Sequence, residues 1–168
     1  RQRAPRLWVS DGGVSGTHDR GADHLRAEVA RLCKRARILR LDTIEAAINA
    51  AAADDVIHVA PLTVETVTAA AGLALDVAGI TLIGYGNGNR RPQINFTTAV
   101  GASMRVSAAN ITMQNFRFTG GIDALTSPID LQAADFTLAN FVTEDVTGQA
   151  TDFIITSDAA DRFYLGGW

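Results

Sequence analysis

The chain has 168 residues, of which 47% are apolar and 20% charged, which is enough for one domain with a hydrophobic core. No apolar run reaches the roughly 18 residues that a membrane-spanning helix needs, and a single cysteine, Cys33, excludes an internal disulfide framework or a multi-cysteine zinc site. The net charge of −3 is unevenly distributed, because residues 1–40 hold ten basic and four acidic side chains while residues 41–168 hold five arginines and fourteen acidic side chains.

Residues 1–41 are predicted to form a basic N-terminal arm. Turn-forming residues dominate its first half, and the apolar residues at 25, 29, 32, 36 and 39 recur at helical spacing, which predicts an amphipathic helix with most arginines on its other face. Such an arm on an acidic body is expected to bind nucleic acid, an acidic protein lattice or the body of a neighbouring copy. A solvated segment with no partner is the alternative. The candidate partner-binding residues are Arg1, Arg3, Arg6, Trp8, Arg20, Arg26, Arg31, Arg35 and Arg37.

Residues 42–168 are predicted to form a second unit, a capping helix followed by a series of strands. Asp42 is expected to be the N-cap, with Glu45 completing a capping box. The helix is then expected to run over residues 43–53, on the spacing of its apolar residues. The β-branched run Val56–Val59 predicts the first strand.

A repeat dominates the rest of the chain. Six-residue blocks begin at Ile80, Ile111, Phe136 and Phe163, at intervals of 31, 25 and 27 residues. Each block is apolar at its first and third positions, has Gly or Asn at the fifth and an aromatic residue at the sixth. A short second strand is predicted just before each of the first three blocks, at Leu73–Leu75, Met104–Val106 and Ile129–Leu131.

This pattern predicts a coil of parallel strands. The first and third positions of a strand share a face, Gly or Asn turns the chain through a left-handed residue, and the period contains no helix, so each turn stacks on the last at about 4.8 Å. Equivalent residues then form ladders, and Arg105 is expected to lie beside Asp130. An antiparallel sandwich with coincidental spacing is the alternative. The predicted aromatic ladder is Tyr85, Phe116, Phe141 and Trp168, and the predicted aliphatic ladder is Leu82, Met113, Leu138 and Leu165.

Four short segments of the chain resemble known proteins. Residues 42–48 and 54–61, DTIEAAI and DDVIHVAP, resemble the start of pectin-lyase-like right-handed β-helix proteins, in which a capping helix leads into a first strand. Residues 8–13 and 15–17, WVSDGG and SGT, resemble the N-terminal opening of short β-helix proteins of tailed bacteriophages. The resemblance implies an all-β fold, a right-handed parallel β-helix with an α-helical cap behind the basic arm. Residues 20–41 depart from it, because an Arg-rich helix is not expected there.

Few residues point to catalysis or metal binding. Enzymes of this fold cleave acidic polysaccharides with clustered carboxylates or a basic residue on one sheet face. Here the acidic residues occupy scattered ladder positions, and the only lysine, Lys34, lies outside the coil. His18, Asp19, Asp23 and His24 match a zinc ligand set in residue type, but solvated loop residues are the favoured interpretation. No catalytic residue, metal ligand or cofactor is therefore predicted.

These observations favour a structural role. The resemblance implies a non-catalytic virion protein of a tailed phage that decorates or cements the capsid surface as a homotrimer. Its partners would be the major capsid protein and neighbouring copies. Nucleic acid is not favoured, because Trp8 is the arm's only aromatic residue for base stacking, although attraction to phosphates stays open. No membrane association is predicted.

Two alternative roles stay open. A tail-spike module that binds a receptor or depolymerises polysaccharide requires exposed carboxylates or aromatic residues along consecutive turns. A secreted carbohydrate-binding protein is the third reading. The repeat places small or neutral residues at outward positions, which favours decoration of a capsid. These outward residues are Thr81, Thr112, Thr137, Ile83, Gln114 and Ala139.

Overall fold

The structure, a computed structural model, describes residues 43–145 and 152–167, so the predictions for the arm lie outside the described residues. The described residues form one short α-helix, one 3₁₀ turn (Gly88–Arg90) and thirteen strands. The elements are α1 (Ile44–Asn49), β1 (Val56–Val59), β2 (Val64–Val67), β3 (Leu73–Leu75), β4 (Thr81–Gly84), β5 (Gln93–Phe96), β6 (Met104–Val106), β7 (Thr112–Gln114), β8 (Arg117–Gly120), β9 (Ile129–Leu131), β10 (Phe136–Ala139), β11 (Val142–Asp145), β12 (Ile154–Thr156) and β13 (Phe163–Gly166).

Each strand pairs in parallel with the third strand along the chain. This gives sheet A (β1, β4, β7, β10, β13), sheet B (β2, β5, β8, β11) and sheet C (β3, β6, β9, β12). The chain therefore winds through about four turns of a parallel β-solenoid, and we call each turn a rung. The prediction of a parallel coil is confirmed, and the antiparallel sandwich is excluded.

The core is a set of ladders that run from rung to rung. In sheet A, the register places Ile57, Leu82, Met113, Leu138 and Leu165 opposite one another in consecutive strands. The middle three have no solvent exposure, because each packs between neighbours on both sides. Leu165 is 41% exposed, since β10 covers it from one side only within the described residues. The inward-facing apolar residues of successive short strands thus stack into one continuous apolar column.

The predicted place of Tyr85 in the aromatic ladder is wrong. The peptide N–H of Arg117 donates to Pro92 O at 2.9 Å, just as that of Val142 donates to Phe116 O at 3.0 Å, so Pro92 occupies the position next to Phe116. Tyr85 is 46% exposed. The physical reason is the eight-residue segment that leaves the coil after β4 and returns at Pro92, where the following rung has a much shorter connection. Of the other members, Phe116 and Phe141 are buried, and Trp168 lies outside the described residues.

Helix α1 begins one residue later than the capping box predicts. Thr43 is the N-cap, and its Oγ1 accepts from Ala46 N at 3.1 Å. The amide of Glu45 donates to Glu65 Oε2 at 3.2 Å, and the amide of Ile44 donates to the same oxygen. A buried carboxylate from β2 therefore serves the first turn. The helix ends at Asn49, earlier than predicted, and its apolar side packs against β1 and β3.

Candidate interaction face

The outward side of sheet A carries two columns of small or neutral side chains, and we call it the front face. In the first column, the register joins Thr81 to Thr112, Thr112 to Thr137, and Thr137 to Tyr164. All ten outward positions are half-buried or exposed, and none of these described residues is an Asp, Glu, Lys or Arg. The outward placement predicted for the six repeat positions is confirmed. The front face comprises Val56, His58, Thr81, Ile83, Thr112, Gln114, Thr137, Ala139, Tyr164 and Gly166.

Aromatic side chains lie at both ends of the front face. At the α1 end, His58 Nδ1 and Tyr85 Oη are 2.9 Å apart, with ring centroids separated by 5.7 Å. At the other end, Tyr164 is 60% exposed and its ring lies across Gly166, where an added Cβ would come within 2.3 Å of the ring. Tyr164 and Thr137 line an open depression of about 240 Å³. Both tyrosines offer flat apolar surface with a polar tip, a side chain typical of contact surfaces.

We call the border between sheets C and A the C–A corner. It contains a column of residues in the left-handed backbone conformation, each of which lies just before a strand of sheet A. Their φ values lie between 56° and 74°, and the amides of the first four donate to carbonyls of the next rung. Asn and Asp tolerate this conformation better than most residues, because their side chains bond to nearby backbone. The column, which accounts for the repeated turn, comprises Asp54, Gly79, Asn110, Asp135 and Arg162.

The C–A corner is acidic. Exposed carboxylates project from it at Asp54, Asp76, Asp158 and Asp161. Asp135 accepts two hydrogen bonds from Arg162, each 2.7 Å long. Those bonds and the nearby positive charge hold the pKa of Asp135 below its usual value and raise the pKa of Arg162.

The border between sheets A and B, the A–B corner, is built by stacked asparagines and is basic. Asn115 Nδ2 donates to the carbonyls of Gly84 and Gly86, each at 2.9 Å. Asn140 Nδ2 donates to Asn115 Oδ1 at 2.9 Å, and Arg91 Nη2 donates to Asn140 Oδ1 at the same distance. This ladder holds the segment that follows β4 against the coil.

Two arginines give the A–B corner its charge. Arg90 is exposed on the segment between β4 and β5, and Arg91 is half-buried beside it. Arg117, which begins β8, is paired with Glu144 at 2.6 Å. The front face is therefore an uncharged strip between an acidic border and a basic one. This is the anatomy of a contact surface, with charge removed from the centre and kept at the rim.

Three further described carboxylates, Asp55, Glu65 and Asp130, have structural partners. Arg105 and Asp130 are 2.8 Å apart on sheet C, which confirms the predicted pair. Asp55 and Glu65 are buried and accept from backbone amides. Among residues 43–145 and 152–167, no three or more His, Cys, Asp or Glu side chains come together as metal ligands would.

Several residues that the sequence analysis singled out lie outside the described residues. They include every candidate of the arm from Arg1 to Arg37, the His18–His24 cluster and Cys33. Sequence reasoning missed the Asn115–Asn140 ladder and the basic A–B corner. The interval of 31 residues, six longer than the next, was the available signal of an added segment there.

No known protein family, curated protein or solved structure matches this chain. In the part of the chain that the structure describes, there is no helix with the length and apolar character needed to cross a membrane.

Proposed function

We propose that this protein is a non-catalytic structural component of a tailed-phage particle, a decoration or cement protein on the outside of the capsid. The observation that carries the proposal is the front face: ten uncharged outward positions on five stacked strands, bordered by opposite charges. Interface centres lose charged residues and gain tyrosine, and their rims stay polar. A β-solenoid suits such a role, because each rung is supported by its neighbours and the face repeats without a break.

In this proposal, the two units of the chain have different partners. Residues 1–41, with their excess of basic side chains, bind an acidic surface of the major capsid protein. The solenoid associates with neighbouring copies as a homotrimer and winds as a right-handed, pectin-lyase-like β-helix. Helix α1 caps its first rung, which is supported by the packing of Ile44, Ala47 and Ile48 against β1 and β3.

The test is the copy number in purified particles, measured by quantitative mass spectrometry against the major capsid protein. Hundreds of copies per particle support the proposal, and a handful or none contradicts it. A second experiment tests whether the basic N-terminal arm attaches the protein to the capsid. Replacing Arg1, Arg3 and Arg6 by Gln should reduce binding to capsids, whereas the matched replacement by Lys should retain it, because the expected attraction is one of charge.

One observation favours a second candidate, a tail-spike module that binds host polysaccharide. The depression beside Tyr164 combines an exposed aromatic ring with the Thr137 hydroxyl and the Asp135–Arg162 pair. A panel of host surface glycans provides the test. Saturable binding that is lost in the Tyr164→Ala variant, together with a low copy number, would bring this candidate ahead of capsid decoration.

A further inference from the structure

We infer that copies of this chain associate side by side through the front face, with coil axes parallel and the basic A–B corner of one copy against the acidic C–A corner of the next. The partner is thus a second copy of the same chain. The inference rests on the self-association in the proposed function and does not depend on the capsid.

The opposite charges of the two corners indicate that the partner at the front face is a second copy of the chain. Four exposed aspartates stand at the C–A corner, at Asp54, Asp76, Asp158 and Asp161, and outnumber its one exposed cation among the described residues, Arg162, which pairs with Asp135 and lies 3.3 Å from Asp161. Arg90 and Arg91 stand at the opposite border, with only the uncharged front face between them. The body is acidic as a whole, so two copies that approach by most other surfaces bring like charges together. Contact through the front face avoids that repulsion and pairs opposite charges at its edge.

The same charges decide the relative orientation. A rotation axis parallel to the coil axis brings the A–B corner of one copy to the C–A corner of its neighbour at the same height. Asp76 lies in the connection that leads into β4, and Arg90 lies in the connection that leaves β4, so both belong to one rung. A twofold axis along the strands would instead place each corner against its own kind. The parallel arrangement is therefore favoured, and it serves a threefold ring as well as a twofold pair.

The front face is too small to hold two copies together without contacts from the charged corners. Five strands about 4.8 Å apart and four residues of about 3.3 Å each give an area of about 300 Å² per copy. A standard interface buries about 800 Å² per partner. The front face alone is too small for stable association, so the charged corners must take part, and self-association should depend on their charge and on salt.

The experiment is sedimentation velocity of the full chain over a wide concentration range, with four variants. Arg90→Glu and Asp76→Arg each place like charges at the contact and should weaken self-association about tenfold. The double variant R90E/D76R exchanges the two charges and should restore it. Asp123→Arg is the matched control, because Asp123 is exposed in the connection between sheets B and C, away from the front face. It should associate like the wild type. Circular dichroism checks that each variant is folded.

Three results would overturn the inference. The first is a wild-type chain that stays monomeric at every concentration. The second is self-association that neither single reversal weakens, or that D123R weakens as much as D76R. The third is a double variant no better than the single ones. The number of copies on purified particles is a separate measurement, so failure of this interface is distinguishable from failure of the proposed role.

Discussion

Leu138 and Leu165 occupy equivalent positions in neighbouring strands of sheet A, so the same substitution at each compares a ladder position inside the coil with one at its described end. Leu138 has no solvent exposure and packs between Met113 and Leu165, whereas Leu165 is 41% exposed. Replacing a buried leucine by alanine removes a transfer free energy of about 2 kcal/mol. The closed cavity left at Leu138 adds about 1–2 kcal/mol more, because neighbours on both sides limit collapse.

We therefore expect Leu138→Ala to lower the free energy of unfolding by about 3–4 kcal/mol. Leu165→Ala loses only the buried fraction of the transfer term and leaves no closed cavity, so its loss should be about 1 kcal/mol. Urea unfolding followed by circular dichroism measures both, with the slope checked for constancy between variants. Equal losses at the two positions would refute the argument that stacking neighbours on both sides determine the stability of a ladder residue.

Three further predictions concern the corners. Gly84→Ala should cost about 2–3 kcal/mol, because its Cβ would lie 2.4 Å from the carbonyl oxygen of Asn115, whereas Gly101→Ala, with open space around its Cβ, should be nearly neutral in urea unfolding. Asn115→Ala should be about 1 kcal/mol less stable than Asn115→Gly, because both lose the amide hydrogen bonds but only alanine strains the left-handed backbone; equal stabilities would contradict this. The ion pair with Arg162 lowers the pKa of Asp135, so the stability that this pair contributes is present above the unfolded pKa, near 3.8, and is lost as pH falls through the lower folded pKa. Arg162→Gln should therefore raise the titration midpoint of the Asp135 carboxyl, measured by carbon NMR. An unchanged midpoint would show that the pair does not cause the lowered pKa.

The repeat made much of the fold predictable from the sequence. The bounds of β1, β3, β6 and β9 are those expected from the β-branched run and the short second strands. Alternation within a strand and a block that recurs every 25 to 31 residues are local and periodic signals, so they can be read without knowledge of the rest of the chain.

The corners were less predictable because their partners are distant in sequence. Glu65 serves the first turn of α1 across 21 residues, and no local pattern distinguishes it from an ordinary inward position of β2. Tyr85 matched the sixth position of its block, yet the added segment carries it out of the ladder and puts Pro92 in its place. The opposite charges of the two borders belong to connections of unequal length, so they become neighbours of the front face only once the register is known.

The segment after β4 shows that residues can be added at a corner of the coil without changing the stacking of its strands. The interval from β4 to β7 is six residues longer than the interval from β7 to β10, yet both pairs of strands remain in direct register. Insertions and deletions at a corner are therefore absorbed sideways, while duplication of a whole 25-residue rung would lengthen the molecule by one strand spacing, about 4.8 Å. Gly88, with open space around it, marks a point where a foreign peptide is expected to be displayed without disturbing the strands on either side. The size of a corner and the number of rungs can therefore be changed separately, the first by insertion into a connection and the second by duplication of a rung.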